Sequence, residues 1–226
     1  METCVVIPTY NEESFIGDLV KEIKDNGFDV LIIDDGSKDN TAEIALKNGS
    51  MVLKNEKNLG KGSSLRRGFN FALKNGYQFI ITMDGDGQHL PAYISEFLEF
   101  AKEKDVKVIV GNRMKSSSKM PVVRFLTNKI MSLVISFFCK QKIPDSQCGF
   151  RLIKREVLNK IGLFTKNFEI ESEILIRAAK AGFKIESLPI KSVYKDQTSY
   201  INPVLDTLRF IRFIMKEIFA PKYKMS

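Results

Sequence analysis

The sequence is poor in the residues that mark several common sites. It has a single histidine, His89, and three cysteines, Cys4, Cys139 and Cys148, in 226 residues. The cysteines are odd in number, far apart and not in a CxxC pair, which excludes a disulfide framework and a zinc site and points to free thiols in a reducing compartment. No apolar run reaches the roughly 20 residues of a spanning helix. The longest, "IMSLVISFFC" (130–139), lies between Lys129 and Lys140. The N-terminus "METCVVIPTY" opens directly on a strand-like run, with no basic or signal-type stretch ahead of it, so a cytoplasmic location is expected. No GxGxxG follows the first strand, and "NLGKGSSLRRGF" (58–69) fails the pattern GxxxxGK[ST]. Internal repeats and low-complexity linkers are absent too. Acidic charge is the minority sign, with 27 Asp and Glu against 35 Lys and Arg, and the net charge of +8 suits an anionic partner.

What is present fits an open α/β domain. Hydrophobic residues at 44% and charged ones at 27% are enough for a real core. Short β-branched runs alternate with helix-patterned stretches, which predicts βαβ units around a mostly parallel sheet. Strands are expected at 4–8, 29–35, 51–55, 79–84 and 106–113. Helices are expected at 12–26, over a short stretch near 42–49, and at 60–76 and 94–104. Asn11 is placed to cap the first helix, whose apolar face carries Phe15, Leu19 and Ile23.

The texture changes after residue 113. "MKSSSKMP" is a polar loop, 122–140 is one or two apolar helices with scattered cations, and "DSQCGFRLIKREVL" (145–158) is a hairpin-like turn leading into a helix. A helix over 169–182, a late strand over 184–190 and a helix over 203–219 complete the chain. The expectation is one domain over 1–226, with a nucleotide-binding half at 1–113 and an acceptor-binding helical annex at 114–226.

Carboxylates at strand exits carry the chemistry. Asp34 and Asp35 end the second strand, and "MDGDGQH" (83–89) follows the fourth. Ligands of open α/β sheets bind at the carboxyl ends of parallel strands. Residues i and i+2 in extended geometry point the same way, so Asp84 and Asp86 can converge on one cation. Mg²⁺ or Mn²⁺ takes such oxygen ligands and keeps substrate phosphates in its shell. A lone DxD is more often a solvated turn; a second acidic strand exit and a Gly/Lys helix entry favour the site. That helix entry suits a phosphate and equally a capped helix with solvated lysines. His89 reads as structural. Arg113, Arg124 and Arg151 taken singly read as surface cations. Segments 122–140 and 203–219 read as packing helices, with an interfacial role as the minority alternative.

With these residues in place, the chain resembles the family 2 glycosyltransferases of the GT-A fold, closest to the dolichyl- or polyprenyl-phosphate sugar synthase branch. The resemblance runs over about residues 4–215, on "VVIPTYNEE" (5–13), "LIIDDGSKDNT" (31–41), "NLGKGSSLRRGF" (58–69), "MDGDGQH" (83–89), "VGNR" (110–113), "DSQCGFRL" (145–152), "FEIESEILIRAAKAGFKIESLPI" (168–190) and "SYINPVLDTLRF" (199–210). It implies a Rossmann-like central sheet flanked by helices with a membrane-facing annex, and a Mg²⁺- or Mn²⁺-dependent, inverting sugar transfer from a UDP- or GDP-sugar. The acceptor it implies is a polyprenyl phosphate, held peripherally at the membrane surface. On this resemblance Pro8, Tyr10, Glu12 and Asp35 hold base and ribose, with Lys61 and Arg67 in the matching loop and helix. Asp84, Asp86 and Gln88 hold metal and diphosphate, and Arg113, Arg124 and Asn128 hold the acceptor phosphate. The last loop, "YKDQTSYI", departs from the branch: Lys195 stands where the diphosphate grip is expected, and Tyr200 replaces a Lys or His.

A lipid phosphate is already an anionic nucleophile, so no strong base is required. A sugar hydroxyl acceptor would require one, and Asp145 or Glu171 would be the candidate. A nucleotidyltransferase is the rival enzyme, although "PTYNEE" stands where its glycine-rich signature belongs. A polyanion-binding module is the non-enzymatic rival. No basic-aromatic motif supports nucleic-acid binding.

Overall fold

The computed structural model describes residues 2–114, 120–193 and 203–219. The chain divides into two compact units, Met1–Lys195 and Asp196–Ser226. The polar loop expected after Arg113 falls mainly on 115–119, and it lies, with Lys195 and Tyr200, outside the described residues.

The large unit is a seven-stranded sheet built on β1 (Thr3–Thr9), β2 (Asp29–Asp34), β3 (Met51–Lys54), β4 (Phe79–Thr82), β5 (Val108–Asn112), β6 (Arg151–Lys154) and β7 (Ile185–Pro189). The spatial order is β3-β2-β1-β4-β6-β5-β7. Helices α1 (Glu13–Asp25), α2 (Thr41–Lys47), α3 (Lys61–Lys74), α4 (Tyr93–Glu103), α5 (Val122–Cys139), α6 (Arg155–Lys160) and α7 (Glu169–Lys180) belong to the same unit. The short unit carries α8 (Pro203–Phe219).

The central strands read as unbroken apolar runs because helices cover both faces of a parallel sheet. Val5, Val6 and Ile7 of β1, Leu31, Ile32 and Ile33 of β2 and Ile80 and Ile81 of β4 have no exposed surface. Helix α3 lies tight against this core at Gly68, where a Cβ would press on the Val6 and Ile33 side chains. The edge strand β3 is only half-buried.

Chain order places the crevice. β1 pairs in parallel with β2 on one side and with β4 on the other, so the strand order reverses at β1 and opens a ligand crevice there. The β4 pairing ends at Val6 and Thr82. Pro8 follows, where β1 has lost that neighbour, so its missing N–H breaks no bond to β4.

Two expectations need correction. Segment 145–158 is not a hairpin: its 151–154 portion is β6, a central strand that runs antiparallel between β4 and β5, with Arg151 beside Thr82 and Val110. Because β6 is reversed, its first residue lies at the edge where β1, β2 and β4 end. The C-terminal half therefore supplies sheet as well as helices, since β6 and β7 both follow residue 113. Asn11 does not cap α1 either. It adopts a left-handed φ of 55°, and its Oδ1 accepts the Lys38 N–H at 2.9 Å, tying the β1–α1 loop to the loop after β2. Ile16, Leu19, Val20 and Ile23 form the buried face of α1, with Phe15 at its margin.

Candidate active site

The site forms where β1, β2 and β4 end and β6 begins. Asp84 leaves β4 two residues after Thr82, and its carboxylate lies over Gly149. A Cβ at position 149 would come within 2.5 Å of Asp84 Oδ2 and 2.6 Å of Oδ1, so only glycine leaves room. Thr82 Oγ1 donates to the Gly149 carbonyl at 2.7 Å and fixes this approach. Asp86 accepts the Gln88 N–H at 3.0 Å, which closes the turn.

Lys61, the first residue of α3, reaches across to Asp84 Oδ1 and Glu171 Oε1, each at 2.6 Å. Burial works against the Asp84 carboxylate, but the Lys61 ammonium outweighs it and holds Asp84 well below the usual carboxylate range. Burial likewise disfavours the Lys61 ammonium, yet Asp84 and Glu171 together keep it charged.

Asp86 and Glu12 shift the other way. Burial, then the Asp84 charge, pushes Asp86 up to about 6. Burial, then the charges of Asp86 and Asp84, pushes Glu12 up to about 7. The Asp84 charge thus raises the cost of ionising Asp86, and both raise that of Glu12, a strain that a divalent cation would relieve. Among the described residues no three His, Cys, Asp or Glu side chains form a group that could hold a metal by itself, so an ion here would need further ligands from substrate phosphates and water. Asp84 and Asp86 fit such an ion, with Gln88 in the same turn.

The other expected residues sit as follows. Arg113 is 4% exposed, and its Nε and Nη2 grip Asp145 at 2.8 and 3.0 Å. Arg151 is 1% exposed. Neither is the surface cation that single-residue reasoning suggested. Arg124 is half-buried on α5, close enough for its charge to favour the Asp86 carboxylate. Asn128 is buried on the same helix. Tyr10 and Glu12 stand on the β1–α1 loop, and Pro8 lines one small void with Lys61, Asp84, Gly149, Arg151 and Glu171.

Asp35 uses both carboxylate oxygens inside the protein: Oδ1 accepts from Asn55 Nδ2 at 2.8 Å and the Leu59 N–H at 2.9 Å, and Oδ2 from the Gly60 N–H at 2.8 Å. Arg67 supports the same loop through the Lys54 carbonyl, at 2.8 Å. The neighbouring Asp34 Oδ2 and Thr9 Oγ1 are buried at the crevice without hydrogen-bond partners. Asp34, passed over in favour of Asp35, was legible only as half of a doublet.

The glycine-rich entry of α3 serves the protein itself. A Cβ at Gly62 would meet the Thr165 carbonyl oxygen at 2.7 Å, and the Ser63 N–H donates to the Lys166 carbonyl at 3.1 Å. The first turn of α3 is therefore closed by backbone from 165–167. His89 is a support: the Asp84 N–H donates to its Nδ1 at 3.4 Å, which leaves the ring proton on Nε2. Burial lowers its pKa to about 4, so the ring stays neutral.

A family model described as glycosyl transferase family 2 matches residues 4–162, more than half of the chain. The chain belongs to glycosyl transferase family 2. Two similar proteins of this family act on lipid phosphates by name. The UDP-N-acetylglucosamine–dolichyl-phosphate N-acetylglucosaminyltransferase of Methanococcus voltae is 30% identical over 215 residues, which cover 85% of this chain and 86% of that one. The polyprenol monophosphomannose synthase of Mycolicibacterium smegmatis is 30% identical over 202 residues, covering 83% and 76%. Glucosyl-3-phosphoglycerate synthase of Mycobacterium tuberculosis, solved with Mn²⁺, UDP and phosphoglyceric acid, superposes with a TM-score of 0.74 at 15% identity, over 99% of this chain and 79% of that one. That likeness fixes the fold as GT-A. This family 2 glycosyltransferase is thus an enzyme, and one similar to polyprenyl-phosphate sugar synthases.

Proposed function

We propose that the enzyme moves a sugar from a UDP- or GDP-sugar to a polyprenyl phosphate, with inversion at the anomeric carbon and with a bound Mg²⁺ or Mn²⁺. The observation that carries the acceptor class is the state of the two candidate bases. Asp145 is fully buried and chelated by Arg113. Glu171 is 6% exposed and paired with Lys61. A hydroxyl acceptor needs a free base within reach, whereas a phosphate monoester arrives ionised. The similar proteins named for dolichyl and polyprenyl phosphates support the same choice.

In this reading Asp84 and Asp86, with Gln88, hold the metal, which supplies Lewis-acid neutralisation of the leaving diphosphate. Lys61 fixes the direction of the Asp84 carboxylate and adds a positive charge at the same place. Pro8, Tyr10, Glu12 and Asp35 line the nucleotide side, Asp35 by holding the 55–60 loop, and Lys195 is assigned to the diphosphate. Arg113, Arg124 and Asn128 form the acceptor side, where positioning of two anions is most of the catalytic task.

The lipid acceptor implies a peripheral membrane position, on the cytoplasmic side, and α5 is built for it. Val123, Leu126, Ile130, Leu133 and Phe137 recur along one face, and Val123 and Phe137 are each 78% exposed. The opposite face buries Asn128 and Ser132, and Ser132 Oγ meets Ser146 Oγ at 3.2 Å. By length and composition α5 is the one candidate span among the described residues. Its inner face, packed on protein through Asn128, Ser132, Ile135 and Cys139, suits a helix lying in the interface.

Thermal stabilisation across UDP, GDP and their sugars with Mn²⁺ or Mg²⁺ tests the donor side. Stabilisation by one nucleotide series, lost in Asp84→Ala and Asp86→Ala, is expected. Nucleotide binding that is indifferent to metal and to both substitutions contradicts the reading.

A further inference from the structure

We infer that Arg151 is a positioning residue that sets the two cations of the site, Lys61 and Arg113, against the Asp84 carboxylate. The inference rests on the proposed metal-dependent transfer. Arg151 is the largest fully buried side chain among the described residues, at the first position of the reversed strand β6. It contributes nothing to an apolar core, and a buried guanidinium is costly unless its donors are used. Nε donates to the Cys148 carbonyl and Nη2 to the Ser146 carbonyl, both at 2.8 Å. Nη1 donates to the Glu171 carbonyl, and Nη2 lies 3.9 Å from Glu171 Oε2.

These acceptors belong to two segments with different tasks. The 145–149 turn carries Asp145, which chelates Arg113, and Gly149, on which the Asp84 carboxylate rests. The first turn of α7 carries Glu171, which holds Lys61, and Lys61 in turn holds Asp84. Arg151 bonds both backbones. Each site cation is held by an acid, and each acid stands on backbone that Arg151 grips. A planar fork of five donors can span two segments at fixed angles, and a lysine ammonium cannot. A slip of about 1 Å between the segments would move Lys61 relative to Asp84, which is the scale at which positioning catalysis is lost.

The test compares Arg151→Lys, Arg151→Met and wild type by thermal unfolding, by Mn²⁺ affinity in the presence of the preferred nucleotide, and by kcat and KM for transfer. Arg151→Lys is expected to fold, to keep the nucleotide-sugar KM within about threefold, and to lose on the order of 100-fold in kcat and tenfold in Mn²⁺ affinity. Arg151→Met should fall further in both. A folded Arg151→Lys with wild-type kcat and Mn²⁺ affinity overturns the inference. Should both variants fail to fold, Glu171→Gln carries the test. It leaves the carbonyl bond to Arg151 intact but weakens the hold on Lys61, so the same losses are expected, and wild-type values would overturn the inference. A wild-type enzyme with neither metal-dependent nucleotide binding nor transfer instead overturns the functional reading on which the inference rests.

Discussion

At the scale of single residues, the site is a set of charges held by neighbours rather than by solvent. Gly149 shows how tight the fit is. Gly149→Ala would put a methyl group against both Asp84 carboxylate oxygens, and transfer is expected to drop at least about 100-fold, with a near-native circular dichroism spectrum as the check. Asp145→Ala leaves Arg113 buried without its counter-charge, and a loss of about 3–5 kcal/mol in denaturant-derived stability is expected. The cysteines are protected by burial, which pushes Cys4, Cys139 and Cys148 up to about 12. The unfolded thiol titrates near the ordinary value, so at pH 9 the unfolded chain carries thiolate and the folded chain does not. Iodoacetamide at pH 9 should therefore leave all three unlabelled in the native enzyme and label all three in urea, as read by intact mass. The DxD pair stood out as a candidate at this scale only because a second acidic strand exit and a Gly/Lys helix entry accompany it. Arg151 and Glu171 did not, because nothing in "CGFR" or "FEIES" reports that two distant segments will meet around them.

At the scale of elements, β1, β2 and β4 were legible for a plain reason: each is buried on both faces and written almost wholly in β-branched or apolar residues. β6 was not. It has four residues, begins and ends on a cation, and its burial comes from central position in the sheet rather than from pattern. Missing it hid the antiparallel turn that brings Gly149 and Arg151 to Asp84. The spacing of α5 was read as apolar, but only the structure separates its exposed apolar stripe from the buried face of Asn128, Ser132, Ile135 and Cys139. Replacing Ile130 and Phe137 by Glu should cut co-sedimentation with anionic vesicles by tenfold or more while leaving nucleotide binding unchanged. Unchanged sedimentation would remove α5 from the membrane contact.

At the scale of the whole molecule, a mostly parallel sheet with a switch point at β1 combines with an acidic cluster at that point and a surface helix that suits a lipid interface. The fold class and the order of the elements other than β6 could be read in advance, because local pattern decides them. The pairing of Lys61 with Glu171, 110 positions away, could not, because it depends on how α3 and α7 pack. The central claim is the acceptor: an already ionised lipid phosphate, which needs no protein base to activate it. It is tested most directly by supplying the stabilising nucleotide-sugar and Mn²⁺ together with a polyprenyl phosphate, the matching polyprenol or a free sugar, and following label into the lipid phase. The account predicts transfer to the phosphate alone, abolished in Asp84→Asn. Transfer to the alcohol or the free sugar with the phosphate left unused would contradict it.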